Sequence, residues 1–305
     1  MTKMTLLQMK IEEISPKFDR KYNEPMCNHT SFRIGGAAEV FAMPKTREEL
    51  AEILKICQDL QLKPAILGAG TNVLVPDAGI PGVVICLKDC LTGMEMLDDK
   101  RIRVMAGVTM TRAAVFAANQ GLAGMEFAHG IPGSVGGGVY MNAGAYGGEM
   151  KDIVQSVEIM DRNGNIRVLQ NEEMDFSYRH SRMEDTDEVV ISAVLKLQQG
   201  EPEEIKEKMR QLQAKRSASQ PLDMPSAGSA FKRPAQGYAA ALIEQAGLKG
   251  YQVGGAAIST KHAGFAVNMG GATAEDVQQL LLQVSDIVFE KSGIRLEPEV
   301  RLWRN

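Results

Sequence analysis

Two stretches of this sequence are rich in the one group that can hold a phosphate without a charged side chain, the backbone N–H. The first, Gly68-Ala69-Gly70-Thr71-Asn72, lies between the apolar runs 65–67 and 73–75. The second covers residues 121–150, GLAGMEFAHGIPGSVGGGVYMNAGAYGGEM, with ten glycines and almost no charge. Glycine loses more entropy on ordering than any other residue, yet it lets the main chain approach a ligand closely. Gly130-Ile131-Pro132-Gly133-Ser134 sets a tight turn around the proline, and Gly136, Gly137 and Gly138 strip the next positions of side chains. Asn142, Ala143, Gly144 and Ala145 then set small residues beside a single amide. A buried, close-packed glycine corner is the bland alternative. The length of the run and its low charge favour a wall for a large, flat, phosphate-bearing cofactor. On that reading a side chain added at Gly136 meets the ligand, so Gly136→Val is expected to cost cofactor affinity more than fold stability.

The neighbouring motifs narrow the cofactor chemistry. Residues 68–72 resemble the start of a dinucleotide fingerprint, but Val73 stands where the third glycine belongs, and Pro76 and Gly79 interrupt any following helix. A phosphate loop of the Gly-Lys-Ser/Thr kind is absent as well. What remains is a strand, a glycine loop and a strand, whose N–H groups and Thr71 and Asn72 side chains can cradle a pyrophosphate. Arg33, beside Gly35-Gly36, is expected as a buried guanidinium meeting a phosphate. His29 is read as a ligand, a flavin attachment point or the cap of a turn, and the cap is favoured. Cys27, Cys57, Cys86 and Cys90 have neither metal-ligand nor disulfide-framework spacing, so no metal is expected and the thiols are read as reduced.

Charge and hydropathy exclude other classes. The formal net charge is −4 and no Lys/Arg run occurs, which argues against a nucleic-acid partner. Lys3, Gln8, Lys10, Glu12 and Glu13 interrupt every apolar run near the N-terminus, and no stretch is long enough to span a membrane. A cytoplasmic chain is expected. Its 305 residues allow two or three domains.

The elements that must position these groups follow from periodicity. A short helix is predicted over 4–14, a strand over 38–43, and a helix opened by the capping pair Thr46 and Glu49 with Leu50, Ile53, Leu54, Cys57 and Leu60 inward. Strands at 83–87 and 102–105 and a helix at 111–119 lead into the glycine stretch. Residues 154–160 and 166–169 read as a hairpin on Asn163-Gly164, and the alternation over 189–197 predicts a strand with a single buried face. Between them lies a polar loop, 175–183, carrying Arg179. A boundary near 200–202 precedes a helix with Glu203 and Glu204 at its start, Lys215 and Arg216 at its end, and Ile205, Met209 and Leu212 on one face. A Ser/Pro/Gly-rich loop holds Ser229. Helices at 238–246 and from Thr273, a strand at 265–268, and an alternating strand over 294–302 with Glu299 on its polar face complete the chain.

In order and spacing, SFRIGG (31–36), GAGTN (68–72), GIPGSVGG (130–137), NAGAYGGE (142–149), YRHS (178–181), AGSAFKRP (227–234), YQVGGAAIS (251–259) and LEPEVR (296–301) resemble the UDP-N-acetylenolpyruvoylglucosamine reductase (MurB) family over nearly the whole chain. The resemblance implies an α+β protein. Its FAD-binding unit would be of the PCMH/vanillyl-alcohol-oxidase type, made of two α+β subdomains (1–88 and 89–200), with a third α+β substrate-binding domain (201–293). The final segment, 294–305, would return to the first subdomain. No insertion carrying an extra substrate tyrosine is present between 148 and 197, which matches the shorter, second type of the family. Non-covalent FAD and NADPH are the implied cofactors, and UDP-N-acetylglucosamine enolpyruvate is the implied substrate in peptidoglycan synthesis. A monomer or weak homo-oligomer is expected.

Reducing a vinyl ether beside a carboxylate needs a hydride on one alkene carbon, a proton on the other, and a cation facing the enolate between those steps. The resemblance assigns Arg179 and Glu299 to the substrate carboxylate and Ser229 to the proton. It assigns the flavin to Arg33, the 68–72 loop and residues 130–134, 136, 137 and 142–145, and the nucleotide sugar to Tyr178, Lys215, Arg216, Lys232, Arg233 and His262. On residue chemistry alone a surface arginine, a solvated carboxylate and a turn serine are the leading readings of Arg179, Glu299 and Ser229. Two other classes stay open. A different flavoenzyme of the same fold would in many cases carry a flavin-linked histidine in its first phosphate loop, and 68–72 has none. A non-catalytic nucleotide-sugar sensor would need neither Ser229 nor Glu299.

Overall fold

The computed structural model of the chain describes residues 4–14 and 18–303, which separate into two compact units. Unit 1 is built from the described residues up to Tyr22, Glu39–Ala69 and Gly82–Lys215; unit 2 is built from Asn23–Ala38, Gly70–Pro81 and the described residues from Arg216 onward.

Unit 1 holds two cores. In the first, the helices Leu6–Ile14 and Arg47–Asp59 bury Ile11, Leu50, Ile53, Leu54 and Cys57 with Val40, Ala42, Val83 and Ile85 of the neighbouring strands. The longer helix starts as its sequence predicts: Thr46 Oγ1 accepts from Glu49 N and the Glu49 carboxylate accepts from Lys45 N. The second core lies under a five-stranded antiparallel sheet ordered Ile166–Gln170, Val154–Met160, Val189–Lys196, Arg101–Met105, Met94–Met96. The predicted hairpin forms with Met160 opposite Ile166, and the Asp161 carboxylate closes its turn by accepting from the N–H groups of Asn163 and Asn165.

Two expectations change here. The strand Val189–Lys196 buries both faces, because it is central and divides its side chains between cores: Val189 and Ile191 join the first, Val190, Ala193 and Leu195 the second. The glycine stretch is also more than a loop wall. It folds into the helix Val135–Tyr140, a hairpin of Gly144–Ala145 with Gly148–Glu149, and the helical turn Met150–Ile153. Each glycine inside a helix costs roughly 1 kcal/mol against alanine. The structure explains why they are kept. A Cβ on Gly136 would lie 2.9 Å from Ala106 Cβ, and one on Gly138 would lie 2.8 Å from Met110 Sδ. Tyr146 and Gly147 both take positive φ, +53° and +87°, which suits a two-residue hairpin turn of the primed type.

The larger core of unit 2 is assembled from all three of its segments, and a small second cluster joins Ala257, Phe265 and Val267. A four-stranded sheet in the order Ser226–Ser229, Phe265–Asn268, Ala256–Ile258, Gln252–Val253 packs on the helix Ala274–Ser292. That helix is opened by a capping box of Thr273 and Asp276, and Asp77 accepts from the N–H groups of Ala274 and Glu275. The C-terminal segment departs from the predicted strand. Only Arg301–Leu302 pairs as a strand, parallel to Val73–Leu74, while Pro298 makes a single bridge to Phe231. Proline has no N–H to continue a ladder. Leu296 and Val300 are nevertheless buried as the alternation requires. Among the described residues no helix is long and apolar enough to cross a membrane, and no His, Cys, Asp or Glu group is arranged to hold a metal ion.

Candidate active site

The loop after strand Ala65–Leu67 is narrow for a reason that can be measured. A Cβ on Gly68 would fall 2.5 Å from Ser134 Oγ, so only glycine lets this end of the loop meet the start of the helix Val135–Tyr140. Gly70 takes φ +67°, its carbonyl accepts from Ser31 N, and a Cβ there would sit 2.0 Å from the His29 carbonyl. Gly68 is thus packed within unit 1 and Gly70 within unit 2. The N–H groups of Ala69 and Thr71 have no protein acceptor among the described residues, leaving donors for a phosphate. A pyrophosphate-bearing cofactor fits that donor set.

The rest of the expected flavin wall is only partly available. Gly136 N donates to Ala106 O, Gly137 N to Ser134 Oγ and Val135 N to Val108 O, so the first turn of the glycine helix spends its donors on protein. Because its missing Cβ faces Ala106, Gly136 is a packing glycine, which corrects the expectation that a side chain there meets the ligand. Of the 130–134 turn, Gly130 takes φ +106°, Ile131 packs on the second core, Pro132 is exposed, and Gly133 O accepts from Met110 N. Arg33 is exposed, on a left-handed turn at φ +55° between the buried Phe32 and Ile34, so the buried guanidinium predicted at this position is not formed. His29 pairs with Glu24 at 2.7 Å, as a turn histidine would.

The family resemblance sets Asn142 among the cofactor residues. The structure turns its side chain inward. The residue is fully buried, Nδ2 donates to Glu149 Oε2 (3.1 Å) and to the Ser177 carbonyl (3.0 Å), and Oδ1 accepts from Lys151 N (2.9 Å). Both amide donors are therefore committed to protein. Ala143 N donates to Gly138 O, and Gly144 pairs with Glu149 across the hairpin.

Arg179 occupies the second central position of a tight turn closed by Ser177 N to His180 O and His180 N to Ser177 O, at 3.1 and 3.2 Å. Its φ is +57°, a conformation that costs a non-glycine residue roughly 1–2 kcal/mol. The guanidinium donates to the Gly144 carbonyl at 3.2 Å and lies 5.0 Å from the half-exposed Tyr178 ring. The His180 ring is ringed by acids, with Glu184 at 3.2 Å, Asp185 at 3.5 Å and Asp175 at 3.6 Å.

In unit 2 the backbone brings Ser229 and Glu299 together. Strand Ser226–Ser229 breaks register before Ser229, with Gly228 at φ +77°; such a bulge re-aims the side chain that follows it. Ser229 is exposed between the buried Ala227 and Ala230. Glu299 N donates to Ala230 O at 2.9 Å, and the Glu299 carbonyl accepts from Asn72 Nδ2 at 3.2 Å. The residue after Ser229 is therefore hydrogen-bonded to Glu299 itself.

The expected substrate residues have different freedoms, with Tyr178 and Lys215 in unit 1 and Arg216, Lys232, Arg233 and His262 in unit 2. Lys232 Nζ lies 3.5 Å from Glu297, and Arg233 stacks 4.1 Å over the Tyr238 ring. Lys215 is exposed and Arg216 buried at the end of the helix Pro202–Ser219. Burial, with Lys249 nearby, holds the His262 pKa below its ordinary value, and Nδ1 accepts from Gly264 N at 3.1 Å. A neutral ring with Nδ1 so engaged presents Nε2–H as a donor rather than a cation. Burial pushes the Cys57 thiol up to about 12 and the Cys90 thiol up to about 11, which keeps both protonated.

Comparison with known proteins matches residues 38–170 to an FAD-binding domain family, and residues 220–303 to the C-terminal domain of UDP-N-acetylenolpyruvoylglucosamine reductase. The reductase of that name from Caldanaerobacter subterraneus subsp. tengcongensis is 46% identical over 97% of this chain and 98% of its own. This chain belongs to the UDP-N-acetylenolpyruvoylglucosamine reductase family. The family member from Clostridioides difficile is 45% identical over 95% of both chains. The crystal structure of the Thermus caldophilus enzyme superposes with a TM-score of 0.79 at 36% identity, covering 94% of this chain and 99% of that one. Family membership makes the chain an oxidoreductase with an FAD-binding domain of the PCMH type within an α+β fold.

Proposed function

We propose that the chain reduces the enolpyruvyl group of UDP-N-acetylglucosamine enolpyruvate to the lactyl ether, with NADPH as the electron source and FAD held non-covalently. Bound FAD supplies a hydride once it has been reduced. The protein's task is then to bind the vinyl ether, oppose the charge that spreads into its carboxylate, and deliver a proton. Arg179 and Glu299 flank that carboxylate. Ser229 gives its proton to the enolate carbon, the one acceptor basic enough for a hydroxyl donor, and Lys232 or a water stabilises the alkoxide. His262 donates through Nε2–H to the nucleotide sugar, whose other contacts are Tyr178, Lys215, Arg216, Lys232 and Arg233.

The observation that carries this reading is the Glu299 N to Ala230 O hydrogen bond, which ties the carboxylate residue to the neighbour of Ser229. The cores cut across the expected bounds of 1–88, 89–200 and 201–293, since Phe32, Ile34 and Leu74 pack with residues 227–300 and Met160, Val189 and Ile191 with residues 11–91. The pairing of Arg301–Leu302 with Val73–Leu74 supports a return of 294–305 to the first part of the chain. We read the protein as a cytoplasmic monomer or weak homo-oligomer without nucleic-acid or membrane partners. Anaerobic rapid mixing tests the activity: NADPH should bleach the flavin and the enolpyruvyl nucleotide should restore it. Flavin that NADPH reduces but only oxygen reoxidises would overturn the substrate assignment. Colour left on acid-precipitated protein would overturn non-covalent binding.

A further inference from the structure

Residues 140–144 hold the arginine turn at alternate positions. Tyr140 O accepts from Ser181 Oγ at 2.8 Å, Asn142 Nδ2 donates to Ser177 O at 3.0 Å, and Gly144 O accepts from Arg179 Nη2 at 3.2 Å. The middle contact differs from the other two. Asn142 and Ser181 are both fully buried, but of these two only Asn142 also ties the turn to the hairpin, through the Glu149 carboxylate, and to the helical turn after it, through Lys151 N. Its own φ of +42° suits asparagine better than most residues. A turn whose key residue sits in a strained conformation needs such external fixing to stay populated.

We propose that Asn142 is a positioning residue: its buried amide fixes the Ser177–His180 turn and so aims the Arg179 guanidinium, rather than contacting the cofactor. This rests on the reading of Arg179 as the enolate-facing cation. The amide acts in both directions at once, donating to the carbonyl that closes the turn and to the carboxylate at the base of the hairpin whose Gly144 carbonyl holds the guanidinium. Loss of the amide frees the turn and its anchor together. The displacement expected for a positioning contact of this kind lowers the rate of a dependent step by about tenfold to a hundredfold.

The test uses the FAD-loaded full chain carrying Asn142→Gly, which deletes the amide without straining a left-handed backbone. Three results are expected: unchanged flavin content, unchanged reduction by NADPH, and reoxidation by the enolpyruvyl nucleotide slowed by about ten- to a hundredfold. Hydrogen exchange should rise at the amides of Ser177 and His180, a readout independent of turnover. On an Arg179→Ala background Asn142→Gly should change reoxidation by less than about twofold, since the group it aims is gone. Ser181→Ala, which removes the outer contact, should move exchange and reoxidation the same way by a smaller factor. Loss of FAD with exchange at the turn unchanged would overturn the proposal in favour of a cofactor contact, and additive losses on the Arg179→Ala background would overturn it in favour of a general structural role. If Arg179→Ala alone reoxidises at the normal rate, the underlying reading of Arg179 falls, and the catalytic role of Asn142 falls with it.

Discussion

Arg179 and Ser229 both stand at irregular points of the backbone, yet they are held there by different means. At Arg179 the left-handed φ falls on the functional residue itself, and side-chain bonds between the turn and residues 140–144, Asn142 Nδ2 to Ser177 O and Ser181 Oγ to Tyr140 O, hold it. At Ser229 the positive φ is taken by Gly228, leaving Ser229 without it. Its neighbours are pinned by main-chain bonds, Ala230 N to Gly264 O and Glu299 N to Ala230 O. A position set by a backbone ladder tolerates most surrounding substitutions; one set by buried side chains fails when any of them is cut.

The largest effect separates chemistry from scaffold. Ser229→Ala is expected to reduce FAD with NADPH normally and to lose on the order of 10²–10⁴ in substrate-dependent reoxidation. Its unfolding free energy should stay within about 0.5 kcal/mol of the parent. Ser229→Cys should recover part of the rate, because a thiol is the stronger acid. Stopped-flow half-reactions and denaturant melts together check this, and normal turnover of Ser229→Ala would send the search for the donor elsewhere.

The next effect exposes the strain. Arg179→Ala and Arg179→Gly should each lose about two decades in reoxidation. The glycine variant should be the more stable of the two by about 1 kcal/mol, since it relieves the left-handed conformation. At position 229 the order should invert, with Ser229→Gly the less stable. Equal stability for the two Arg179 variants would mean that the turn carries no strain.

Gly136→Val probes the helix beneath the arginine turn. The added side chain runs into Ala106, and overpacking of this kind costs about 1–3 kcal/mol. Thermal melts of the flavin-free protein should show that loss, while the fraction that remains folded binds FAD with near-normal affinity. A variant of parental stability that fails to bind FAD would restore the ligand-wall reading of this glycine.

The smallest effect belongs to unit 2 and to pH. His262 has a folded pKa below the ordinary 6.5, so the unfolded chain binds the proton more readily. Its contribution is complete above that ordinary value and is lost as pH falls through the depressed one. His262→Gln should therefore lose less stability than the parent between about pH 7 and about pH 5. Parallel stability curves for the two would show that the ring is not held neutral by the fold.

Local patterns were legible wherever period and caps agreed. The helices opened by Thr46 and Thr273 begin where their hydroxyls and acids predict, and Phe265–Asn268 is bounded as its apolar run requires. The misreadings share a cause, which is that packing partners distant in sequence decide them. Nothing near residue 136 announces Ala106 as the neighbour that demands glycine, and nothing near 189–197 reveals a second core on the far face. Arg33 looked buried because glycines flank it, whereas the left-handed turn sends Phe32 and Ile34 into the core and leaves Arg33 out. Asn142 carried a usable signal. A lone amide among small residues, before a glycine hairpin, suits a buried bridging role as well as a ligand contact.

The composition of the unit 2 core constrains how the chain can be born. Phe32, Ile34 and Leu74 complete a cluster whose other members, from Ala227 to Val300, are translated more than a hundred residues later. At roughly 5–20 residues per second those three side chains wait on the order of ten seconds or more beside the ribosome without their partners. Meanwhile the segments of unit 1 between them can begin to condense. A slow second stage of maturation is built into this chain order, and a nascent chain stalled before residue 216 would present Phe32, Ile34 and Leu74 as a docking point for chaperones.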